Sequence, residues 1–198
     1  MDMYKLKWTR LQSEIFRFLC IKAGQIINLH GIAKPLKVSP TAVSNALVEL
    51  KKEKLVIVKK SKTMNLLSIE FNRDNQQAIE MKRVENLKMI YQSGLSKFLF
   101  NKFPGCTIIL FGSYSKGEDV WIGEKEENRS DIDIAIIGIK GKEVDLTKFD
   151  KMLERIVFIN FYKSWNDIHK HLKENILNGI NLSGGVELWS YLKILKNT

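Results

Sequence analysis

The chain has 198 residues, 44% hydrophobic and 27% charged, with 12 Gly and 3 Pro, which excludes disordered, collagen-like and low-complexity chains. The net charge of +10 is uneven: residues 1–85 carry 16 basic against 8 acidic side chains, and residues 86–198 carry 16 against 14. A basic N-terminal part suits either a polyanionic partner or a solvated Lys-rich surface, and charge alone leaves both open.

No window approaches the roughly 18–20 apolar residues of a membrane span, and MDMYKLKWTR lacks a secretory core. Cys20 and Cys106 lie far apart with no CxxC, so both thiols are expected buried and reduced. These features lead to the expectation of a cytoplasmic protein that does not engage membranes.

From Trp8 to Lys22, Leu11, Ile15, Phe18 and Leu19 recur at helical spacing. A second helix is expected over 28–36, with Leu29, Ile32, Ala33 and Leu36 on one face and Pro35 near its end. Ser39-Pro40 opens a third, Ser39 as N-cap and Pro40 at the first helical position. Val43, Ala46, Leu47 and Leu50 form its apolar stripe, and Thr41, Ser44 and Asn45 lie opposite. LVIVKK (55–60) and LLSIEF (66–71), separated by a polar stretch, read as a hairpin.

Three helices and a basic-tipped hairpin are the plan of a winged helix-turn-helix, and IAKPLKVSPTAVSNALVELKKEKLV resembles archaeal and bacterial members of that family. The resemblance implies a helix in the major groove, with Thr41, Ser44 and Asn45 at base edges. Lys59, Lys60 and Lys62 on the wing, with Lys51, Lys52 and Lys54 nearby, suit phosphates. Binding of protein, or dimerisation alone, is the other use of such a domain.

Asn72-Arg73-Asp74-Asn75 is a polar break, so the domains are expected to run 1–74 and 75–198, with 75–105 as connecting helices. Ala78, Met81, Val84, Leu87, Met89, Ile90 and Tyr91 suggest one long helix, interrupted at Gly94 and continued to Pro104-Gly105. CTIILF (106–111) is an apolar strand ending in Gly112-Ser113. SDIDIAIIG (130–138) is a second strand, in which alternation puts Asp131 and Asp133 on one face, about 6.6 Å apart. Two carboxylates that close repel unless a cation, usually a divalent metal, sits between them. Gly112 permits close approach by a phosphate and Ser113 adds a hydroxyl, so the two pieces together suit phosphate chemistry.

FGSYSKG (111–117) followed by SDIDIAI (130–136) is similar to the minimal nucleotidyltransferases of the DNA polymerase β superfamily, over roughly residues 90–185. The resemblance implies an α+β chain: a winged helix-turn-helix, then a small mixed α/β nucleotidyltransferase domain. It implies magnesium or manganese on Asp131 and Asp133, triphosphate on Gly112 and Ser113, Lys116 near a phosphate, and transfer of AMP from ATP to a protein or RNA hydroxyl. Related members include antitoxins, which a fused DNA-binding domain would suit, and the winged-helix resemblance allows a homodimer.

This sequence departs from that pattern twice. Seventeen residues separate Ser113 from Asp131, and the surplus, DVWIGEKEEN (119–128), reads as an exposed acidic flap. The later strand IVFINFYK (156–163) offers Asn160 where the family has a third carboxylate, and Asn cannot act as a general base. Asp145 is the fallback. Asn160 favours a second function: a DNA-binding transcriptional regulator whose C-terminal domain senses nucleotide without turnover. His169 and His171 are expected to be held apart by helical geometry, and Trp165 and Trp189 to be core residues.

Overall fold

A computed structural model of the protein describes residues 8–60, 67–121 and 129–185. The chain forms two compact units, one of residues 1–89 and 116–131, the other of residues 90–115 and 132–198. The sequence reading parts the chain at 74/75; the compact units part at 89/90, and a later segment returns to the first.

In the first unit, α1 (Arg10–Ile21), α2 (Leu29–Leu36) and α3 (Pro40–Lys52) precede an antiparallel hairpin of β1 (Val56–Lys60) and β2 (Leu67–Phe71). Each helix starts where a side chain satisfies an orphan amide. Thr9 and Gln12 form a capping box on α1, Asn28 accepts from Gly31 N–H, and Ser39 accepts from Ala42 N–H. The helix α2 ends on Lys37, in the left-handed region at φ 55°. The apolar faces meet in one core that includes Ile15, Phe16, Leu19, Ile32, Val43, Leu50 and Ile69. This is the winged-helix plan that the spacing of apolar residues implied.

Helix α4 (Gln76–Gln92) departs from the expected apolar face. Val84 and Tyr91 are exposed, and the buried positions are Ala78, Lys82, Asn86 and Ile90, four residues apart. Lys82 and Asn86 are buried because both donate to the Asp119 carboxylate, Asn86 at 2.7 Å. Gly117 lets the segment lie on α4: at φ +77°, a Cβ there would sit 2.5 Å from the Ile79 carbonyl oxygen. Trp121 N–H donates to the Ala23 carbonyl at 2.6 Å, and Lys22 Nζ and Arg129 Cζ lie over its ring, 3.3 and 3.7 Å from the centroid. The expected exposed flap is therefore buried at its start, because Asp119 and Trp121 have partners in the first unit. Residues 122–128 lie outside the described residues.

The second unit holds α5 (Leu95–Lys102), β3 (Thr107–Phe111), the start of the short helix α6 (Gly112–Lys116), β4 (Ile132–Ile137), α7 (Thr147–Leu153), β5 (Val157–Tyr162), α8 (Lys170–Leu177) and β6 (Ile180–Ser183). The sheet order is β5-β4-β3-β6, with β4 and β5 parallel and the other pairs antiparallel. One face carries Ile108, Leu110, Ile132, Ile134 and Phe161, and Phe103 packs edge-on against Phe161 at 5.4 Å. The other carries Ile109, Phe111, Ala135 and Ile137, covered by Ile168 and Ile176 with Trp165 and Leu172. In the next row Phe111 is still covered, while its register partner Asp133 is half-buried and Phe158, on the other side of Asp133, is exposed.

Candidate functional site

The first candidate surface is the outer side of α3. Burial of Val43, Ala46, Leu47 and Leu50 turns Thr41 and Asn45 to solvent, with Ser44 half-buried. Val48, 65% exposed, continues the stripe one turn beyond Asn45. The spacing 41, 45, 48 is the signal for it, and its apolar character hides it from a search for polar readout residues. Lys51, Lys52, Lys54 and Lys60 are exposed. Lys59 is exposed as well but reaches Glu70 across the hairpin at 3.3 Å. Lys62 lies outside the described residues.

The second candidate site is a corner of the sheet in the second unit. Gly112 has φ +74°, and a Cβ on it would fall 2.5 Å from Asp133 Oδ2. Only glycine allows this close approach of backbone to carboxylate. Phe111 at the end of β3 is the register partner of Asp133, so the strand pairing itself creates the juxtaposition. Asn160 pairs in register with Ala135, two residues beyond Asp133, and so lies on the same face. The donors of this corner are oxygens, a carboxylate and an amide, which suit a hard divalent cation. Among the described residues no group of three or more His, Cys, Asp or Glu side chains is placed to hold a metal.

Other expected members are placed differently. Strand β4 begins at Ile132, so strand alternation orients Asp133 but does not extend to Asp131. Asp131 and Lys116 fall in the first unit, while Gly112, Ser113, Asp133 and Asn160 fall in the second. Lys116 is exposed, and Ser115 turns inward to donate to the Gly112 carbonyl at 2.8 Å. Asp145 is exposed and accepts from Thr147 N–H at 3.0 Å, at the start of α7. Hydrogen bonds from the Thr147 side chain, and secondly from its backbone N–H, hold the carboxyl below the usual carboxylate range.

No family model matches the chain, and no curated protein matches it. Solved structures similar to it include the zinc-responsive MarR family member ZitR of Lactococcus lactis. That match has 21% identity and a TM-score of 0.38, and covers 52% of this chain and 68% of that one. The adhesin competence repressor AdcR from Streptococcus pyogenes is 21% identical, TM-score 0.38, covering 49% of this chain and 69% of that one. A MepR–DNA complex from S. aureus is 19% identical, TM-score 0.35, covering 48% and 77%.

These neighbours are regulators and not nucleotidyltransferases, which corrects the family drawn from FGSYSKG and SDIDIAI. The reason is visible in the motifs themselves: Gly-Ser and Asp-x-Asp are short, and Asn160 stands where the third carboxylate would be.

Two further expectations change. His169 and His171 have ring centroids 5.5 Å apart, because His169 precedes α8 with an extended ψ of 140° and escapes helical spacing. Trp165 is half-buried against the sheet rather than inside the core, and Trp189 lies outside the described residues. No helix among the described residues is long and apolar enough to cross a membrane.

Proposed function

We propose that this protein is a DNA-binding transcriptional regulator whose second unit senses a metal-bound phosphate ligand, most simply a nucleotide. The observation that carries the reading is the outer face of α3, where Thr41, Asn45 and Val48 stand exposed on a helix whose other side is locked into the core. A helix fits the major groove, hydroxyl and amide groups reach base edges there, and an apolar side chain meets the thymine methyl. The basic excess of residues 1–85 supplies the phosphate attraction, with Lys59 exchanging Glu70 for a phosphate oxygen.

For the sensing half, Asp133 is the carboxylate beside Gly112 and would hold a divalent cation that neutralises the phosphates of the ligand. Gly112 and Ser113 would receive a phosphate oxygen. Asn160 supplies an amide where a base would be needed, which favours binding over turnover. The protein works in the cytoplasm, and a homodimer on a two-fold site is the arrangement that such a regulator would use.

The test is fluorescence anisotropy on a duplex selected by the protein from a random pool. Binding should weaken linearly in log–log with salt. Lys59→Ala/Lys60→Ala/Lys62→Ala should flatten that slope by about 0.9 for each phosphate no longer neutralised. Thr41→Ala/Asn45→Ala should instead lower affinity for the selected site while sparing non-specific duplex. A protein that selects no sequence and shows no salt slope does not bind DNA, and the reading fails.

A further inference from the structure

We propose that Phe158 is the stacking platform for the base of a nucleoside phosphate, which makes the Gly112–Asp133 corner selective for nucleotides over bare polyphosphate. The inference rests on the phosphate-sensing reading of that corner and adds what the ligand must carry beyond its phosphates.

Strand β5 is an edge strand, and Phe158 on it is the register partner of Asp133. The two residues therefore share a face of the sheet. Phe158 is 51% exposed, whereas Val157 is buried and Ile159 to Tyr162 are half-buried. A half-exposed phenylalanine on an otherwise covered face leaves a large apolar surface in water. Its exposure follows from where the cover ends: Ile168, Ile176, Trp165 and Leu172 pack with Phe111, Ala135, Ile137 and Tyr162, and Phe158 stands outside that cluster.

The row runs across three strands, from Gly112 just beyond buried Phe111 on β3, through half-buried Asp133 on β4, to exposed Phe158 on β5. At about 4.8 Å per strand, the glycine and the aromatic ring stand roughly 10 Å apart with the carboxylate between them. That order matches the order of parts in a nucleotide: phosphate, the cation beside it, then a planar base. Every base presents a π-face to an aromatic side chain. Asn160, two residues further along the same face, offers both a donor and an acceptor to the base edge or the sugar.

The experiment is calorimetric titration of the full chain with MgATP and with magnesium tripolyphosphate. Wild type should bind MgATP more tightly. Phe158→Ala should weaken MgATP roughly 5- to 150-fold, the worth of one stacked base, and leave tripolyphosphate unchanged. Phe158→Trp should retain MgATP. Phe158→Leu keeps apolar volume without a π-face, so it should behave as Phe158→Ala and guards against a packing effect. Equal affinity of wild type for both ligands, or unchanged MgATP affinity in Phe158→Ala, overturns the stacking role and spares the phosphate site. A changed oligomeric state with unchanged MgATP affinity also overturns it, by assigning Phe158 to a protein interface. If neither ligand binds wild type, the phosphate reading itself falls and takes this inference with it.

Discussion

Cys20 is buried at the end of α1, and burial pushes its thiol well above the ordinary range, against a smaller opposing pull from Lys82. The sign of the pH effect follows. The unfolded thiol ionises near pH 8.5, the folded one at higher pH, so above about 8.5 the unfolded chain has released a proton that the folded chain still holds. The contribution of the neutral buried thiol is full below that pH. It is lost as pH rises, by about 1.4 kcal/mol per unit until the folded thiol also ionises. Urea unfolding between pH 7 and 10 should show a steeper fall for wild type than for Cys20→Ala. Parallel curves would mean that the thiol meets water in the folded state.

At the scale of elements, the start of α3 separates folding from readout. Ser39 caps the helix through Ala42 N–H at 3.1 Å, while Thr41 and Asn45 are exposed on its outer side. Ser39→Ala should cost about 1 kcal/mol in urea unfolding and leave the salt slope of DNA binding unchanged. If it abolished sequence selection in a stable protein, Ser39 would be a contact residue and α3 would enter DNA differently. Much of this element was legible, because Ser39-Pro40 and the stripe from Val43 to Leu50 are local signals. Helix α4 was not: periodicity counts apolar residues, and two of the four positions that it buries are Lys82 and Asn86. Their partner, Asp119, lies 37 and 33 residues further on, where no spacing rule reaches. The Gly112–Asp133 corner was legible as two separate motifs, and only the pairing of β3 with β4 brings them together. Phe158 carried no signal at all, since an aromatic residue in a strand reads as core.

At the scale of the molecule, the chain passes between its two compact units three times, at 89/90, 115/116 and 131/132. The long interval between Ser113 and Asp131 is the consequence: within it, Gly117 and Asp119 lie against α4 in the first unit. The Lys82–Asp119 ion pair, with Asn86 beside it, fixes that return. Lys82 is 0% and Asp119 2% exposed, so neither charge can fall back on water when the other is removed. Lys82→Met and Asp119→Asn should each destabilise the protein by about 3–5 kcal/mol, since each breaks the buried ion pair from one side. The double variant removes both charges, and the amide oxygen it leaves at position 119 can still accept from Asn86. It should therefore cost less than the two single losses together, with an interaction energy of at least about 1 kcal/mol from the double-mutant cycle. Urea unfolding of the four proteins measures it. Additive losses would show that the two charges are held by other neighbours, and that the burial of Trp121 and the fit of Gly117 on α4, rather than the ion pair, return this segment to the first unit.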